Sequence, residues 1–130
     1  MLKKFEIKTS KREELINISA LVENTVKESG IISGAAVIFC PHTTAAITIN
    51  ENADPDVCLD MIKGLKNISP ADKSYAHVEG NSDAHIKSSL VGVSETIIID
   101  GGNLILGTWQ GIYFCEFDGP RTRTVFVKII

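Results

Sequence analysis

The chain is poor in the features that mark a cross-linked scaffold or a membrane span. Its three cysteines, Cys40, Cys58 and Cys115, are odd in number, far apart and form no C-x-x-C pair. That argues against a disulfide framework and against a thiolate zinc site. Each reads instead as a small core residue, since free cysteine is among the most buried types. No apolar run approaches the roughly 20 residues a membrane helix needs, and the opening Met1-Leu2-Lys3-Lys4-Phe5-Glu6 lacks the apolar stretch of a signal peptide. A soluble, cytoplasmic protein with no membrane partner is expected. Charge of one sign is also missing: 13 Lys and Arg stand against 16 Asp and Glu, a net charge of −3 with no like-charge block. Nucleic-acid binding, which draws on a basic field, is therefore not expected. Nor is there a repeat, a low-complexity tract or a linker, so residues 1–130 read as one domain, long enough to bury roughly 68% of its unfolded surface.

The elements that are present alternate in period. Residues 2–8 and 13–18 are strand-like around Thr9-Ser10-Lys11-Arg12, which predicts a first hairpin or strand pair. Ile18, Leu21, Val22 and Val26 then fall at helical spacing before Gly30, predicting a helix over 20–29 with a left-handed cap. Two short apolar runs, 35–39 and 45–49, flank the polar corner Pro41-His42-Thr43-Thr44. Asp54-Pro55-Asp56 is a helix start: Asp caps free amides, Pro loses nothing at the first position, and Asp56 meets the positive dipole end. The apolar stripe Val57, Cys58, Met61, Ile62, Leu65 carries this second helix to about residue 66. Ser82-Asp83 opens a short third, with Ile86 and Leu90 paired at i, i+4 before Gly92. The runs 96–99, 104–106, 112–114 and 124–127 are strand-like, separated by turns at 100–103 and 118–120. Strands in succession with few helices between them predict an α+β domain of largely antiparallel, sandwich-like sheets with about three short helices.

Two groups of residues have chemistry to offer. His42, His77 and His85 all fall in or beside polar corners, and neutral imidazoles with an open fourth position are the usual plan of a catalytic zinc site. The spacing H-x7-H matches no strict ligand pattern, and on spacing alone ordinary hydrogen-bonded histidines are the stronger reading. Carboxylates and amides nearby, Glu51 and Asn52 after one run and Glu79, Asn81 and Asp83 between the later histidines, are candidate further ligands, orienting partners or a general base. Helix capping accounts for Asp54 and Asp83 and turn geometry for Asn81, whereas Glu51 and Glu79 have no such local explanation. In Asp118-Gly119-Pro120-Arg121-Thr122-Arg123 a turn delivers two arginines at i, i+2. Alternation would put both forks on one face as a receptor for phosphate oxygens. The equal alternative is a pair of exposed arginines matched to Asp118 or Glu116. Gln110, beside the only Trp and between Gly107 and Gly111, is a further polar candidate.

Taken together, PHTTAAITINENADPDV (41–57), HVEGNSDAHIKSSLVG (77–92) and LGTWQGIYFCEFDGPRTR (106–123) resemble the YjbQ-like family, often labelled secondary thiamine-phosphate synthase. The resemblance covers nearly the whole chain. It implies a compact α+β domain on antiparallel sheets, a homotrimer, and a histidine-lined site for a divalent metal such as zinc, with His42, His77 and His85 as the ligands. Arg121 and Arg123 would bind a phosphorylated small molecule, with Thr43, Thr44 and Asn81 as polar contacts, and Glu51 and Gln110 would take catalytic roles. The implied reaction joins a pyrimidine diphosphate to a thiazole phosphate, giving thiamine phosphate and diphosphate, and the resemblance leaves room for another, primary activity. Metal and arginines would steady the departing diphosphate. In a trimer these blocks can meet across a subunit boundary. The alternative from a different class is a non-catalytic trimeric metal- or ligand-binding module.

Overall fold

A computed structural model describes residues 1–130. The order is β1 (Leu2–Lys8), β2 (Glu14–Asn17), α1 (Ser19–Ser29), β3 (Gly34–Phe39), β4 (Ala45–Glu51), α2 (Pro55–Ile68), α3 (Ser82–Val91), β5 (Ser94–Asp100), β6 (Asn103–Leu104), β7 (Gln110–Glu116) and β8 (Thr122–Ile129). The strands form a five-stranded sheet, β1-β8-β3-β5-β6, and a three-stranded sheet, β2-β7-β4. Every pairing is antiparallel, so the α+β architecture read from the sequence is the one observed.

The expected first hairpin does not form. β1 pairs with β8 and β2 with β7, in different sheets. Likewise the polar corner after β3 is no hairpin turn: it carries the chain from the larger sheet to the smaller one. Period-2 patterning shows that a segment is a strand and which face is buried, but it does not name the partner.

Alternation places Ala36, Ile38, Ile97, Ile99, Val125, Val127 and Ile129 of the large sheet against Ile47, Ile112 and Phe114 of the small one, and Val22 and Val26 of α1 join the same core. Each fully buried Ile or Phe there contributes roughly 1.5–3 kcal/mol. β7, central in its sheet, is buried on both faces: Cys115 points the other way, into a second cluster with Ala46, Ala84 and Phe117 beneath α2 and α3. Gly30 (φ 68°) caps α1 in the left-handed conformation, and the Asp54 side chain caps α2 by accepting from the Asp56 amide at 2.9 Å, both as the sequence predicts. No helix is long and apolar enough to cross a membrane.

The third helix departs from its apolar pattern. Ile86 and Leu90 face solvent, and its buried face is Asp83, Ala84, Lys87 and Ser88. Asp83 is not a capping residue. Its carboxylate is buried and meets Arg12 at 3.2 Å and Lys87 at 3.4 Å, while Lys87, 1% exposed, reaches Glu13 at 2.6 Å. The Ser88 hydroxyl donates to the Ala45 carbonyl at 2.6 Å. α3 is thus seated on the small sheet by charge and hydrogen bonding, which holds its outward face, including His85, in register with the corner before β4.

Removing the Lys87 amine leaves two buried carboxylates without their shared cation. Lys87→Ala is predicted to cost about 3–5 kcal/mol of stability, read as a lower urea midpoint. A midpoint equal to that of the unsubstituted chain would show that the network does not hold α3.

Candidate functional site

The corner residues Cys40, Pro41, His42, Thr43 and Thr44 lie where three elements converge: the end of β3, the start of β4 and the start of β8. The β3–β8 ladder stops at Phe39↔Phe126, yet β8 continues four residues further, to Thr122, on that side. Successive strand amides alternate in direction, and the Ile129 amide points to the β1 side, donating to Met1. The Thr124 amide therefore points to the β3 side, where no strand remains. His42 fills the gap: its Nε2 accepts from the Thr124 N–H at 2.9 Å. A ring nitrogen that accepts is unprotonated, so the neutral His42 ring carries its proton on Nδ1. Burial first, and the charge of Arg123 second, push the His42 pKa below its usual 6.5, so the ring is neutral near pH 7.

The arginine pair is not a pair of free forks. Arg123 is 2% exposed. Its Nε donates to Glu116 at 2.9 Å, its Nη2 also contacts Glu116, and the same Nη2 donates to the Thr44 hydroxyl at 2.8 Å and carbonyl at 3.2 Å. Glu116, fully buried, further accepts from the Thr9 hydroxyl at 2.8 Å and the Asp118 amide at 3.1 Å. Burial works to raise the Glu116 pKa, but the hydrogen bonds from Arg123, Asp118 and Thr9 and the Arg123 charge outweigh it and hold the carboxyl below its ordinary 4.5. Arg121 lies just before β8 and is half exposed; its Nη2 pairs with Asp118 at 3.0 Å. The two guanidiniums do not share a face, because Arg123 belongs to the buried side of β8 and Arg121 folds back on the turn. Gly119 in that turn packs so closely that a Cβ would sit 2.3 Å from the Lys11 carbonyl oxygen and 2.8 Å from the Thr9 hydroxyl. Of the two partners considered for the arginines, Glu116 takes Arg123 and Asp118 takes Arg121.

The remaining candidates separate. His42, Thr43 and His85 line one cleft with Ser88, Ser89, Gly92 and Val93, of about 510 Å³. His77 stands beside it, its ring perpendicular to that of His85 with centroids 5.6 Å apart. Thr44 is buried and spent on Arg123, so it does not face a ligand. The Asn81 Nδ2 donates to Asp118 at 2.8 Å, and its buried Oδ1 has no partner, so the side chain braces the 118–121 turn. Glu51 and Gln110 sit opposite one another at the far end of the β4–β7 ladder, whose near end is Ala45↔Glu116. Six strand steps separate the ends, roughly 20 Å, and within one chain neither side chain joins the histidines. Glu51 instead accepts from the Ala53 amide at 3.1 Å and Gln110 from the Gly107 amide at 2.8 Å.

The three histidines do not suit a metal equally. A tetrahedral ion shared by two imidazoles at about 2.0–2.1 Å places the ring centroids roughly 5 Å apart, so the His77–His85 pair fits. His42 does not: the nitrogen that would ligate takes the Thr124 amide proton, and the other carries its own. No three His, Cys, Asp or Glu side chains converge within the chain. Cys40 and Cys115 offer no thiolate either, since burial raises Cys40 to about 11 and pushes Cys115 up as well. Sequence reasoning missed Lys87, Glu13 and Arg12, which fix α3. The one available signal was the Asp83–Lys87 spacing of i, i+4.

A folded ring that resists protonation destabilises the fold in acid. Below pH 6.5 the unfolded chain takes a proton that half-buried His42 resists, so stability present above 6.5 is lost as pH falls toward the lowered folded value. Between pH 7.5 and 5.5 the urea midpoint is predicted to fall more for the unsubstituted chain than for His42→Gln, whose amide oxygen also accepts from Thr124. Equal slopes would show that His42 is not held neutral.

The model of the UPF0047 protein YjbQ-like family matches residues 3–130. The UPF0047 protein YugU of Bacillus subtilis is 59% identical over 131 residues, covering 100% of this chain and 99% of that one. A UPF0047 protein of Methanocaldococcus jannaschii is 59% identical, covering 100% and 94%. Among solved structures, an uncharacterised YjbQ/UPF0047 protein of Clostridium acetobutylicum superposes with a TM-score of 0.97 at 60% identity, over 98% of this chain and 99% of that one. A protein of unknown function from Sulfolobus solfataricus does so with a TM-score of 0.96 at 32% identity, over 99% and 95%. This chain therefore belongs to the UPF0047, YjbQ-like family.

Proposed function

We propose that the chain is a metal-assisted enzyme acting on a phosphorylated small molecule in the cleft between the 40–44 corner and α3, and that thiamine-phosphate synthase-like condensation is the reaction to test first. The observation that carries this reading is one of charge. The cleft, about 510 Å³, lies within the usual range for a small-molecule site and is lined by hydroxyls and imidazoles, but both nearby arginines already have carboxylates. A diphosphate ester brings more than one negative charge, so a further cation has to accompany it, and His77 and His85 are the residues that would hold one. A bound divalent ion would supply the positive charge that stabilises a departing diphosphate. Arg121, half exposed at the rim, retains surface to meet the outer phosphate oxygens, while the Thr43 and Ser89 hydroxyls orient the ester. In the condensation, the thiazole nitrogen attacks the pyrimidine methylene carbon as the carbon–oxygen bond to diphosphate breaks, the bond's electron pair leaving with the diphosphate. Glu51 and Gln110 have no part in this scheme within one chain. A cytoplasmic location is part of this reading.

A second reading, a non-catalytic trimeric metal- or ligand-binding module, rests on the outer face of the large sheet. There Ile98 is 64% and Phe39 41% exposed, Ala35 lies across from Ile98 and Phe126 across from Phe39, and no helix covers them. Such a face fits contact with further copies of the chain. Both readings include a homotrimer; they differ in turnover.

Metal analysis of untagged protein is expected to find zinc in the unsubstituted chain and its loss in His77→Ala and His85→Ala. Zinc-loaded protein is expected to form thiamine phosphate from the pyrimidine diphosphate and thiazole phosphate, and the two variants are not. Metal content unchanged in both variants would remove those rings from the scheme. Zinc bound without turnover would favour the module.

A further inference from the structure

The mismatch between His42 and a metal has a positive content. We infer that the three histidines divide two and one: His77 and His85 face a cation, whereas His42 is a neutral hydrogen-bond donor that presents its Nδ1–H to an acceptor oxygen of the ligand, here a phosphate oxygen. This rests on the reading of the cleft as a phosphate-ester site and assigns one contact within it.

Three observations converge on the assignment. The Nε2 of His42 is committed, since it terminates β8 by accepting from Thr124 at 2.9 Å. Nothing else in the chain can take that amide, because β3 ends at Phe39. The Nδ1 has no protein partner and is not sealed from solvent, while the residue lines the cleft together with His85. A proton donor left over at a cleft wall calls for an acceptor from the ligand. Finally, the ring is half-buried beside the Arg123–Glu116 pair, and this partial burial disfavours its charged form. A neutral donor adds no charge to an anion already accompanied by a cation, and it fixes orientation through direction. The same ring therefore links ligand to framework: an oxygen on Nδ1–H sits one imidazole away from the first residues of β8.

The two functions of the ring can be separated by substitution. In His42→Gln the amide oxygen can replace Nε2 as acceptor for Thr124, and with the oxygen so placed the NH2 beside it no longer occupies the Nδ1 position. Long-range proton–nitrogen correlation spectra of the imidazoles, recorded with the zinc-loaded protein at neutral pH, are expected to show His42 protonated on Nδ1 with an unprotonated, hydrogen-bonded Nε2. Zinc titration of metal-stripped protein is expected to shift the ring nitrogens of His77 and His85 far more than those of His42. His42→Gln is expected to keep the zinc affinity of the unsubstituted chain while binding inorganic phosphate about tenfold more weakly or worse. An Nε2-protonated His42, or loss of zinc in His42→Gln, would overturn the assignment. So would phosphate binding unchanged in His42→Gln. If the unsubstituted zinc-loaded chain binds no phosphate, the cleft reading itself fails and the donor role fails with it. That outcome is distinct because the spectra and the zinc affinity would then still report His42 outside the metal set.

Discussion

The buried pair of Glu116 and Arg123 is the contact around which the site end of the molecule is organised. Glu116 closes β7 in the small sheet, and Arg123 opens β8 in the large one. Their ion pair therefore crosses the sandwich, and its remaining valences are used to gather the surrounding chain: Thr9 after β1, Thr44 before β4 and the amide of Asp118 in the turn. Two charges taken out of water give little net stability compared with an apolar pair of the same shape, but loss of either one leaves the other stranded. Such a pair specifies arrangement more than it contributes energy. Here it fixes where the 40–44 corner and the 118–121 turn must lie, and so where His42 meets Thr124.

The same pair determines what the cleft can bind unaided. An arginine doublet in the sequence looks like spare positive charge, but each guanidinium is already matched to a carboxylate, one in the interior and one at the rim. What the cleft offers an anion is direction, from hydroxyls and a neutral imidazole, and little net charge. On the proposed reading a polyanionic ligand would be accompanied by a cation at His77 and His85, whose rings meet edge to face, His85 in the first turn of α3 and His77 before it. The ion network of Asp83, Lys87 and Glu13 holds that helix from behind, so the His85 imidazole rests on a seat that is itself electrostatic.

What was legible in the sequence was local. Asp54-Pro55-Asp56 announces α2 because a cap and its helix are neighbours, and Gly30 announces the end of α1 for the same reason. Alternation identified strands and hence an antiparallel α+β domain. It left the partners of β1 and β2 unnamed, because a strand's buried face fits any apolar surface. The site follows the same division. Arg121 and Asp118 lie three residues apart and Arg123 and Glu116 seven, within reach of inspection, whereas Thr124 lies 82 residues from His42 and Glu13 lies 74 from Lys87. A histidine that ends a ladder and a histidine that holds a metal have the same sequence appearance. Glu51 and Gln110 stand apart from the histidines within one chain for a related reason: each lies close in sequence to a histidine-bearing or arginine-bearing block, but a strand of seven residues carries its two ends far apart.

The central claim, that the arginines are charge-compensated and the cleft needs a cation to accept a polyanion, is tested most directly by calorimetric titration of inorganic diphosphate into the protein with zinc bound and with zinc removed by chelation. The account predicts saturable binding in the first case and none in the second. Equally tight binding to the metal-stripped protein, abolished by Arg121→Ala, would contradict it.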